Sequence, residues 1–349
     1  MKFSLFAHME RTQENQSYQA LYAEFIDLCL MADEGGMHAI WTGEHHGMDF
    51  TISPNPLLTL IDLARRTKNV RLGTGTIAAP FWHPIKLAGE LAMADLLCDG
   101  RLEVGIARGA YMYEYERLLP GLDAIEAGLR LRELVPAVKN LWQGDYSHKG
   151  EFYQFPSTSA APKPIQASGP PLWIAARDPN SHEFAIANNC NVQVTPLWLG
   201  MEEVESLAQR FSEAVDKNLS ADTIRPPKLM ILQHAYVGST EIEVKTAAEQ
   251  LSRYYCQFGA WFKNERPVTQ GRIKPMSENE VEENKMYAPS VMRNNLAIGT
   301  VSEIIERLKI YEALGYDEFS YWIDSGLSIE QKKASLSLFI NEVMPAFAE

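Results

Sequence analysis

The sequence has few of the features that mark membrane, secreted or nucleic-acid-binding proteins. It contains no apolar run of about 18 residues, and the apolar part of its N-terminal MKFSLFAHMERTQ is too short for a signal peptide. Basic residues are also scarce: 32 Lys and Arg stand against 45 Asp and Glu, and no basic run interrupts the net charge of −13. Such a chain repels nucleic-acid backbones and anionic membranes. We therefore expect a cytoplasmic protein with neither nucleic acid nor a membrane as its partner.

Cysteine is rare, and its spacing does not indicate a metal site. The four residues Cys29, Cys98, Cys190 and Cys256 are far apart and form no CxxC pair. Neither a zinc knuckle nor a disulfide framework is therefore predicted. The remaining composition is ordinary for a globular protein, with 46% hydrophobic and 22% charged residues. The length of 349 residues fits either two or three small domains or one enlarged α/β barrel.

Short apolar runs alternate with longer amphipathic stretches along the chain, which is the pattern of repeated βα units. The runs predict eight strands, at residues 2–8, 39–42, 70–77, 102–107, 172–176, 192–196, 228–237 and 318–323. Apolar positions at spacings of three and four predict helices at residues 18–34, 55–68, 84–97, 122–142, 180–188, 202–217, 241–258, 300–314 and 329–344.

Eight strands, each followed by at least one helix, predict an α/β fold of the (β/α)8 or TIM barrel type. A doubly wound parallel sheet is the alternative, and the count of eight favours the barrel. Residues 144–171 and 262–295 are polar or proline-rich with little periodicity, so they are predicted as excursions after strands four and seven. We expect one domain over residues 1–349, with the substrate-determining residues in the two excursions.

In a barrel, chemistry is located where strands end and βα loops begin. The second strand is followed by Glu44, His45 and His46. An imidazole beside a carboxylate suits acid/base work near neutral pH, although a histidine that only hydrogen-bonds a loop is an equal alternative. The sequence has no HExxH and no nearby third ligand, so no metal site is predicted.

The third strand contains Gly73–Ala78, which imitates the GxGxxA dinucleotide fingerprint. A true fingerprint opens a helix, and Pro80 and Pro84 leave no room for one. We therefore predict no NAD site there. The glycines instead permit close approach of a flat ligand or an unusual peptide bond.

After the fifth strand, Asp178, Pro179, Asn180 and Ser181 have the signature of a helix start. The free N–H groups of such a start also bind phosphate, and Arg108 and Arg177 at neighbouring strand ends would add charge. A simple cap and a phosphate site both remain open. Aromatic residues are dense near strand ends and would suit a planar ring in a water-poor pocket: Trp82, Tyr111, Tyr113, Trp198 and Trp322.

Together these motifs resemble the bacterial luciferase-like flavin monooxygenases. The resemblance rests on IWTGEHH at residues 40–46, LGTGT at 72–76 with HP at 83–84, GR at 100–101, GIARG at 105–109, IGT at 298–300 and VMP at 343–345. It covers nearly the whole chain and strengthens the barrel prediction.

The resemblance implies a two-component enzyme. Reduced FMN would come from a separate NAD(P)H:flavin reductase and react with O2 to a C4a-peroxyflavin, which oxygenates a small aldehyde, ketone or N-heterocycle. A homodimer is also implied. His45 matches the family's catalytic histidine, with Glu44 beside it. Gly75 and Thr76 match a non-prolyl cis peptide under the flavin ring. The positions that match the phosphate site are Arg108, Ala176, the backbone of Arg177 and Asp178, and the Ser181 hydroxyl.

Two positions depart from the light-emitting members. Those members have a reactive cysteine where this chain has Ala107 and a glutamate where it has Arg177, so light emission is not expected, and Arg177 is expected to strengthen the phosphate site. Trp82, Tyr111 and Trp198 are the expected substrate or ring contacts. The alternatives are a deazaflavin (F420)-dependent hydride transferase and a noncatalytic flavin-binding partner subunit. Retention of His45 and Arg108 favours an enzyme.

Overall fold

The structure is a computed structural model, and it describes residues 1–219 and 225–348. Residues 220–224 and 349, which belong to the range predicted as one domain, lie outside the described residues. Within the described part the chain forms thirteen strands: β1 (Lys2–Phe6), β2 (Ala39–Thr42), β3 (Arg71–Ala78), β4 (Leu102–Ala107), β5 (Tyr146–Lys149), β6 (Gln154–Thr158), β7 (Leu172–Ala175), β8 (Asn191–Val194), β9 (Leu229–Gly238), β10 (Val268–Thr269), β11 (Arg272–Ile273), β12 (Ala297–Thr300) and β13 (Glu318–Trp322).

Helices alternate with these strands. They are α1 (Tyr18–Glu34), α2 (Pro56–Arg66), α3 (Pro84–Leu97), α4 (Met112–Leu118), α5 (Ala124–Gln143), α6 (Pro179–Ala187), α7 (Met201–Asn218), α8 (Glu241–Lys263), α9 (Glu278–Asn284), α10 (Pro289–Asn295), α11 (Val301–Ala313) and α12 (Ile329–Leu338). Three short helical turns add to them, at Ala79–Phe81, Phe339–Val343 and Met344–Phe347. No helix of the described residues combines the length and the apolar character needed to span a bilayer.

Eight parallel strands close into a barrel in the order β1, β2, β3, β4, β7, β8, β9 and β13. The barrel closes because β1 pairs on one side with β2 and on the other with β13. The (β/α)8 prediction is confirmed, and each predicted strand corresponds to one barrel strand. Since all eight strands are parallel, their carboxyl ends meet at one mouth.

Alternating side chains explain how the barrel is filled. In β2, Ala39 and Trp41 point into the interior cluster of the barrel, and Ile40 points to the layer under the helices. The Trp41 ring takes the space beside Gly73, where a Cβ atom would lie 2.0 Å from it. The outer layer is formed by helices such as α2, which starts at the Asn55 cap and buries leucines spaced three apart.

Several elements differ from the sequence-based predictions. Helix α8 continues to Lys263 rather than ending at 258. Residues 262–295 were expected to be irregular, but they contain the β10–β11 hairpin, α9 and α10. Helix α4 and strand β12 were not predicted, and β12 pairs in parallel with the outer end of β9.

The segment 144–171 contains the β5–β6 hairpin, which is attached to α5 by one carboxylate. Glu133 accepts hydrogen bonds from the backbone N–H groups of Glu151, Phe152 and Tyr153, and the His148 ring lies 2.8 Å from it. Among the described residues that line the cavity at the barrel mouth, none comes from 144–171. This hairpin therefore packs on the outside, contrary to the expectation that it determines the substrate.

Candidate active site

A cavity of about 300 Å³ opens at the carboxyl ends of the barrel strands. The structure brings most of the sequence-predicted residues to its wall: Glu44, His45, Gly75, Thr76, Arg108, Tyr111, Ala176, Arg177, Asp178 and Ser181. Trp82 and Trp198 do not line it. The cavity thus has a histidine side, a glycine floor, a cationic end and an aromatic end.

The histidine side is organised by Glu114, a residue that the sequence analysis missed. His45 Nδ1 lies 3.2 Å from Glu114 Oε2, and the His46 backbone N–H donates to Glu114 Oε1 at 2.6 Å. Glu114 is buried on α4. Because this carboxylate faces Nδ1, it favours the tautomer with its proton on Nδ1 and leaves Nε2 of His45 for the cavity. Helix α4 is only seven residues long, so no periodicity in the sequence reveals it.

Glu44, which was predicted as catalytic, lines the cavity and holds neighbouring segments. Its carboxylate accepts from the Ala78 backbone N–H at 3.0 Å and from the Trp82 indole at 2.8 Å, and the His46 ring lies 2.7 Å away. The hydrogen bond from Glu44 raises the pKa of His46 above its ordinary value. Both oxygens are therefore engaged in holding neighbouring segments. This also explains why Trp82 lies behind Glu44 rather than on the cavity, contrary to its expected substrate contact.

The floor of the cavity is formed at Gly75 and Thr76. The peptide bond between them is cis, at the place that the resemblance implies. A Cβ atom on Gly75 would lie 2.8 Å from the Phe6 ring, and one on Gly105, behind the floor, would lie 2.3 Å from the Thr74 carbonyl oxygen. Both contacts are too close, so glycine is needed for the close packing of β3 and β4 under this floor.

The cationic end lies at the start of α6. Asp178 caps this helix and accepts from both the backbone N–H and the hydroxyl of Ser181. Arg108 and Arg132 line the same end, and Arg132 Nη2 lies 3.4 Å from the Ser181 hydroxyl. Within residues 1–219 and 225–348, no carboxylate is within salt-bridge distance of either guanidinium. Arg132, which sits inside α5, was not predicted because nothing in its helix marks it as a ligand.

Arg177 differs from the other two arginines. Its Nη2 atom lies 2.9 Å from Glu203 on α7, and Arg210 also approaches that carboxylate at 3.6 Å. The side chain of Arg177 therefore shares Glu203 with Arg210, which weakens its attraction for an anion in the cavity. Its expected part in strengthening the phosphate site stays a prediction.

The aromatic end is formed by four neighbouring rings. Tyr111 and Phe262 have centroids 5.0 Å apart, Phe262 and Phe258 4.8 Å, and Phe258 and Trp322 5.8 Å. Trp198 lies one layer behind, with its centroid 6.4 Å from that of Phe262. Phe262 was missed because helix α8 was expected to end at 258, and Phe258 because its position inside a helix does not mark it as a site residue. Burial raises the pKa of Tyr111 and keeps the hydroxyl protonated.

Two histidines face this end in the neutral form. His8 lines the cavity with its ring centroid 5.2 Å from that of His45, and His234 stacks on Trp322 at 3.8 Å. Burial lowers the pKa of both imidazoles well below the ordinary value. Among the described residues, no cluster of three or more His, Cys, Asp or Glu side chains is arranged to hold a metal ion.

These features fit a planar cofactor with a phosphate tail. The glycine floor admits a flat ring, while two guanidinium groups, a hydroxyl and a helix N-terminus form the donor set that phosphate requires. Flavin mononucleotide has this shape and charge. The fold and the site therefore define a (β/α)8 enzyme with a binding site for a phosphorylated flavin.

Comparison with known proteins places the chain in a family. Residues 1–318 match the family model described as luciferase-like monooxygenase. A flavin-dependent trigonelline monooxygenase, oxygenase component, of Acinetobacter baylyi is 60% identical over 349 residues, which cover 100% of this chain and 96% of that protein. An alkanal monooxygenase alpha chain of Photorhabdus luminescens is 25% identical and covers 93% of this chain and 91% of its own. The chain belongs to the luciferase-like monooxygenase family and is a flavin-dependent monooxygenase, which confirms the resemblance.

Solved structures agree on the fold. Monooxygenase RslO1 from Streptomyces bottropensis has a TM-score of 0.83 and 24% identity, with 100% of both chains covered. The oxygenating constituent of 3,6-diketocamphane monooxygenase of Pseudomonas putida, in complex with FMN, has a TM-score of 0.77 and 18% identity, covering 99% of this chain and 98% of that one. An F420-dependent secondary alcohol dehydrogenase has the same TM-score at 16% identity, covering 100% of this chain and 99% of that one. At sequence identities this low, the structural similarity shows only that the fold is shared.

Proposed function

We propose that this chain is the oxygenase component of a two-component system that uses reduced FMN from a separate NAD(P)H:flavin reductase. We further propose that its substrate is an N-methylated pyridine carboxylate of the trigonelline type. The observation that carries the proposal is the 60% identity over the full chain to a trigonelline monooxygenase. The aromatic end of the cavity supports it, because stacked rings suit a flat heteroaromatic substrate.

The residues present suit reduced FMN in one orientation. Arg108, Arg132, the Ser181 hydroxyl and the backbone N–H groups at the start of α6 would hold the phosphate. The flat surface at Gly75 and Thr76 would carry the ring system. Bound reduced flavin supplies the electrons that activate O2.

The protein's own part is proton handling and exclusion of water. In our proposal, Glu114 holds His45 by Nδ1, so that Nε2 can accept a proton from the reacting groups and return it. Glu44 acts as a positioning residue, since its oxygens hold the 78–82 segment and His46. Tyr111, Phe258 and Phe262 would keep the cavity dry, which protects reactive oxygen species from unproductive loss.

The decisive experiment is a product assay. The purified protein is supplied with a flavin reductase, FMN, NADH, ¹⁸O2 and N-methylnicotinate, and the products are analysed by mass spectrometry. We expect a product that carries ¹⁸O, and we expect His45→Ala to bind FMN normally while product falls by at least about tenfold. A product from an aldehyde or ketone panel but none from N-methylnicotinate would refute the substrate. Absence of any O2-dependent product would favour the noncatalytic partner subunit, and anaerobic turnover with reduced F420 would favour the hydride transferase.

We also propose that residues 1–349 act as one domain and that the protein is a cytoplasmic homodimer. The closure of the barrel by β1 and β13, from opposite ends of the sequence, supports one domain. Four free cysteines suit a reducing compartment. Exposed Leu58 on α2 and Met93 and Leu96 on neighbouring α3 offer an apolar contact surface. Light scattering should give twice the chain mass, and Leu96→Glu should shift it towards the monomer.

A further inference from the structure

Charge is distributed unevenly along the cavity. The arginines that line it, Arg108, Arg132 and Arg177, belong to the end at the start of α6. The opposite end is lined by aromatic rings and by the carboxylate of Glu114, and none of the described lining residues there carries a cationic group. The arginine end is assigned to the flavin phosphate, so the aromatic end is left for the substrate, and its lack of cationic groups suits a positively charged ring.

The aromatic rings at that end enclose a space for a flat ligand. Tyr111 and Phe262 meet at 47° with centroids 5.0 Å apart, and Trp322 continues the wall through Phe258. The faces of aromatic rings carry negative electrostatic potential and attract cations. In a desolvated cavity this attraction is stronger than at a surface.

A buried carboxylate lies directly behind this wall. Glu10 is 4% exposed, and the hydroxyl of Tyr254 is the hydrogen-bonding group that approaches its carboxylate. Its Oε1 atom lies 3.7 Å from Nδ1 of His8, whose ring lines the cavity. Burial keeps His8 neutral by lowering its pKa, so the histidine does not balance the charge. A buried carboxylate that is approached closely only by a tyrosine hydroxyl and a neutral imidazole is costly in its ionised form, and a nearby cation would compensate it.

We infer that Tyr111, Phe262 and Trp322 form a subsite for a planar cationic ring, with Glu10 supplying the counter-charge from behind the wall. The inference deepens the proposed function and rests on it for the class of substrate. In this arrangement the fixed positive charge of an N-alkylated ring is what the enzyme selects. A neutral ring of the same shape has neither the cation–π attraction to the aromatic faces nor the ionic attraction to Glu10.

The carboxyl group of Glu10 is expected to change its protonation when a cationic ligand binds, and this change can be measured. Burial and the nearby Asp324 raise its pKa well above the ordinary value, and the Tyr254 hydroxyl offsets this in part. The empty site thus favours the protonated form, and a bound cation favours the ionised form, so binding of a cation releases a proton. The other groups that face Glu10 from neighbouring elements are His8, Tyr111, Tyr255 and Lys332.

The test compares two ligands of the same shape. N-methylnicotinate has a cationic ring, and 3-methylbenzoate replaces its N⁺–CH3 with C–CH3 and keeps the carboxylate. Dissociation constants are measured by titration calorimetry on the full chain with saturating oxidised FMN, so that neither probe occupies the flavin position. We expect the wild type to bind the cation at least about tenfold more tightly. Equal affinity for the two ligands would overturn the inference.

Variants separate the subsite from a structural effect. Glu10→Gln and Phe262→Leu should each reduce the preference for the cation, taken as the ratio of the two dissociation constants, about three- to tenfold. Glu318→Gln, a buried acid at the other end of the barrel, and Phe152→Leu, on the outer hairpin, are the matched controls and should keep the full preference. An unchanged preference in both Glu10→Gln and Phe262→Leu would overturn the inference.

Proton release gives an independent readout. Titrations in two buffers of different ionisation enthalpy should show proton release when N-methylnicotinate binds the wild type and none when it binds Glu10→Gln. Release that persists in Glu10→Gln would contradict the role of Glu10. These measurements use no turnover, so a preference for the cation without oxygenation would refute the proposed function alone, and oxygenation without a preference would refute the subsite alone.

Discussion

Among the cavity arginines, the partner of each guanidinium decides what it can do for a ligand. Arg132 and Arg177 both reach the cavity end where phosphate is expected. Arg177 shares the carboxylate of Glu203 with Arg210, whereas Arg132 contacts a hydroxyl and a backbone carbonyl. A guanidinium outside salt-bridge distance of a carboxylate attracts an anion more strongly than a paired one.

We therefore predict that the same substitution weakens FMN binding strongly at Arg132 and weakly at Arg177. Arg132→Met should raise the dissociation constant of reduced FMN about tenfold or more, because a charge-assisted hydrogen bond to phosphate is worth about 1.5–3 kcal/mol. Arg177→Met should change it less than about twofold, since Glu203 retains Arg210 as its partner. Anaerobic fluorescence titration measures both constants. Riboflavin, which lacks the phosphate, is the control and should bind the Arg132 variant and the wild type alike. A larger loss in Arg177→Met than in Arg132→Met would contradict this assignment.

The sequence identifies site residues that lie at or soon after strand ends, and it misses those in the interior of helices. His45, Arg108 and Ser181 were predicted on the cavity because they follow barrel strands directly. Glu114 and Arg132 lie inside α4 and α5, where a charged residue looks like any solvent-exposed position. Their part in the site depends on which face of the helix turns inward. That orientation follows from three-dimensional packing and has no local signal in the sequence.

At the level of elements, helix α8 connects a strand end to the aromatic wall. It starts with a capping box formed by Thr240 and Glu243 and runs 23 residues to Lys263. Its last three turns place Tyr254, Phe258 and Phe262 near the cavity. The stability of the wall thus depends in part on how well α8 is held at its other end.

The cap of α8 makes a measurable contribution. Thr240→Ala removes the side-chain oxygen that accepts from the Glu243 N–H, and we expect the free energy of unfolding to fall by about 1 kcal/mol. Urea unfolding followed by circular dichroism measures the change. Thr246→Ala, at a half-buried position in the second turn of the same helix, is the control and should have no destabilising effect, because alanine has the higher helix propensity. A loss at Thr246 that equals the loss at Thr240 would show that capping is not the cause.

The barrel strands were predictable even where they are short. All eight were identified, since buried apolar runs separated by amphipathic helices give a strong pattern. Helix α4 has seven residues, which is too short for a helical periodicity to emerge. The end of α8 was placed too early because the aromatic residues beyond 258 point into the site, so they interrupt the amphipathic pattern.

The two ends of the barrel have different tasks, one functional and one structural. The carboxyl end carries the cavity, and the amino end is closed by buried polar contacts. There the Trp41 indole donates to Glu318 at 3.0 Å, and the Trp173 indole donates to Glu103, which also pairs with Arg71. These carboxylates lie under the barrel core, remote from the active site. Their effect is therefore expected on stability and not on catalysis.

Glu318 makes the stability of the whole molecule dependent on pH. Burial, together with the charge of Glu103, raises the pKa of its carboxyl group from 4.5 to about 7. Between these two values the folded chain binds more protons than the unfolded chain, so the free energy of unfolding falls as the pH rises from about 5 to about 7. The difference between the two pKa values corresponds to a loss of about 3 kcal/mol of unfolding free energy at most. At a pH below both values Glu318 does not affect the unfolding free energy, and at a pH above both the loss is complete.

Replacing Glu318 with glutamine should remove this loss, since the amide side chain does not ionise and its carbonyl oxygen can still accept from Trp41. We expect the unfolding free energy of Glu318→Gln to exceed that of the wild type by an amount that grows from pH 5 to about pH 7 and is constant above it. Urea titrations at pH 5, 6, 7 and 8 measure the difference, in which the other titrating groups cancel. Glu282→Gln, an exposed acid, is the control and should give a curve parallel to the wild type. A constant difference between Glu318→Gln and the wild type across the range would mean that Glu318 does not titrate in this window.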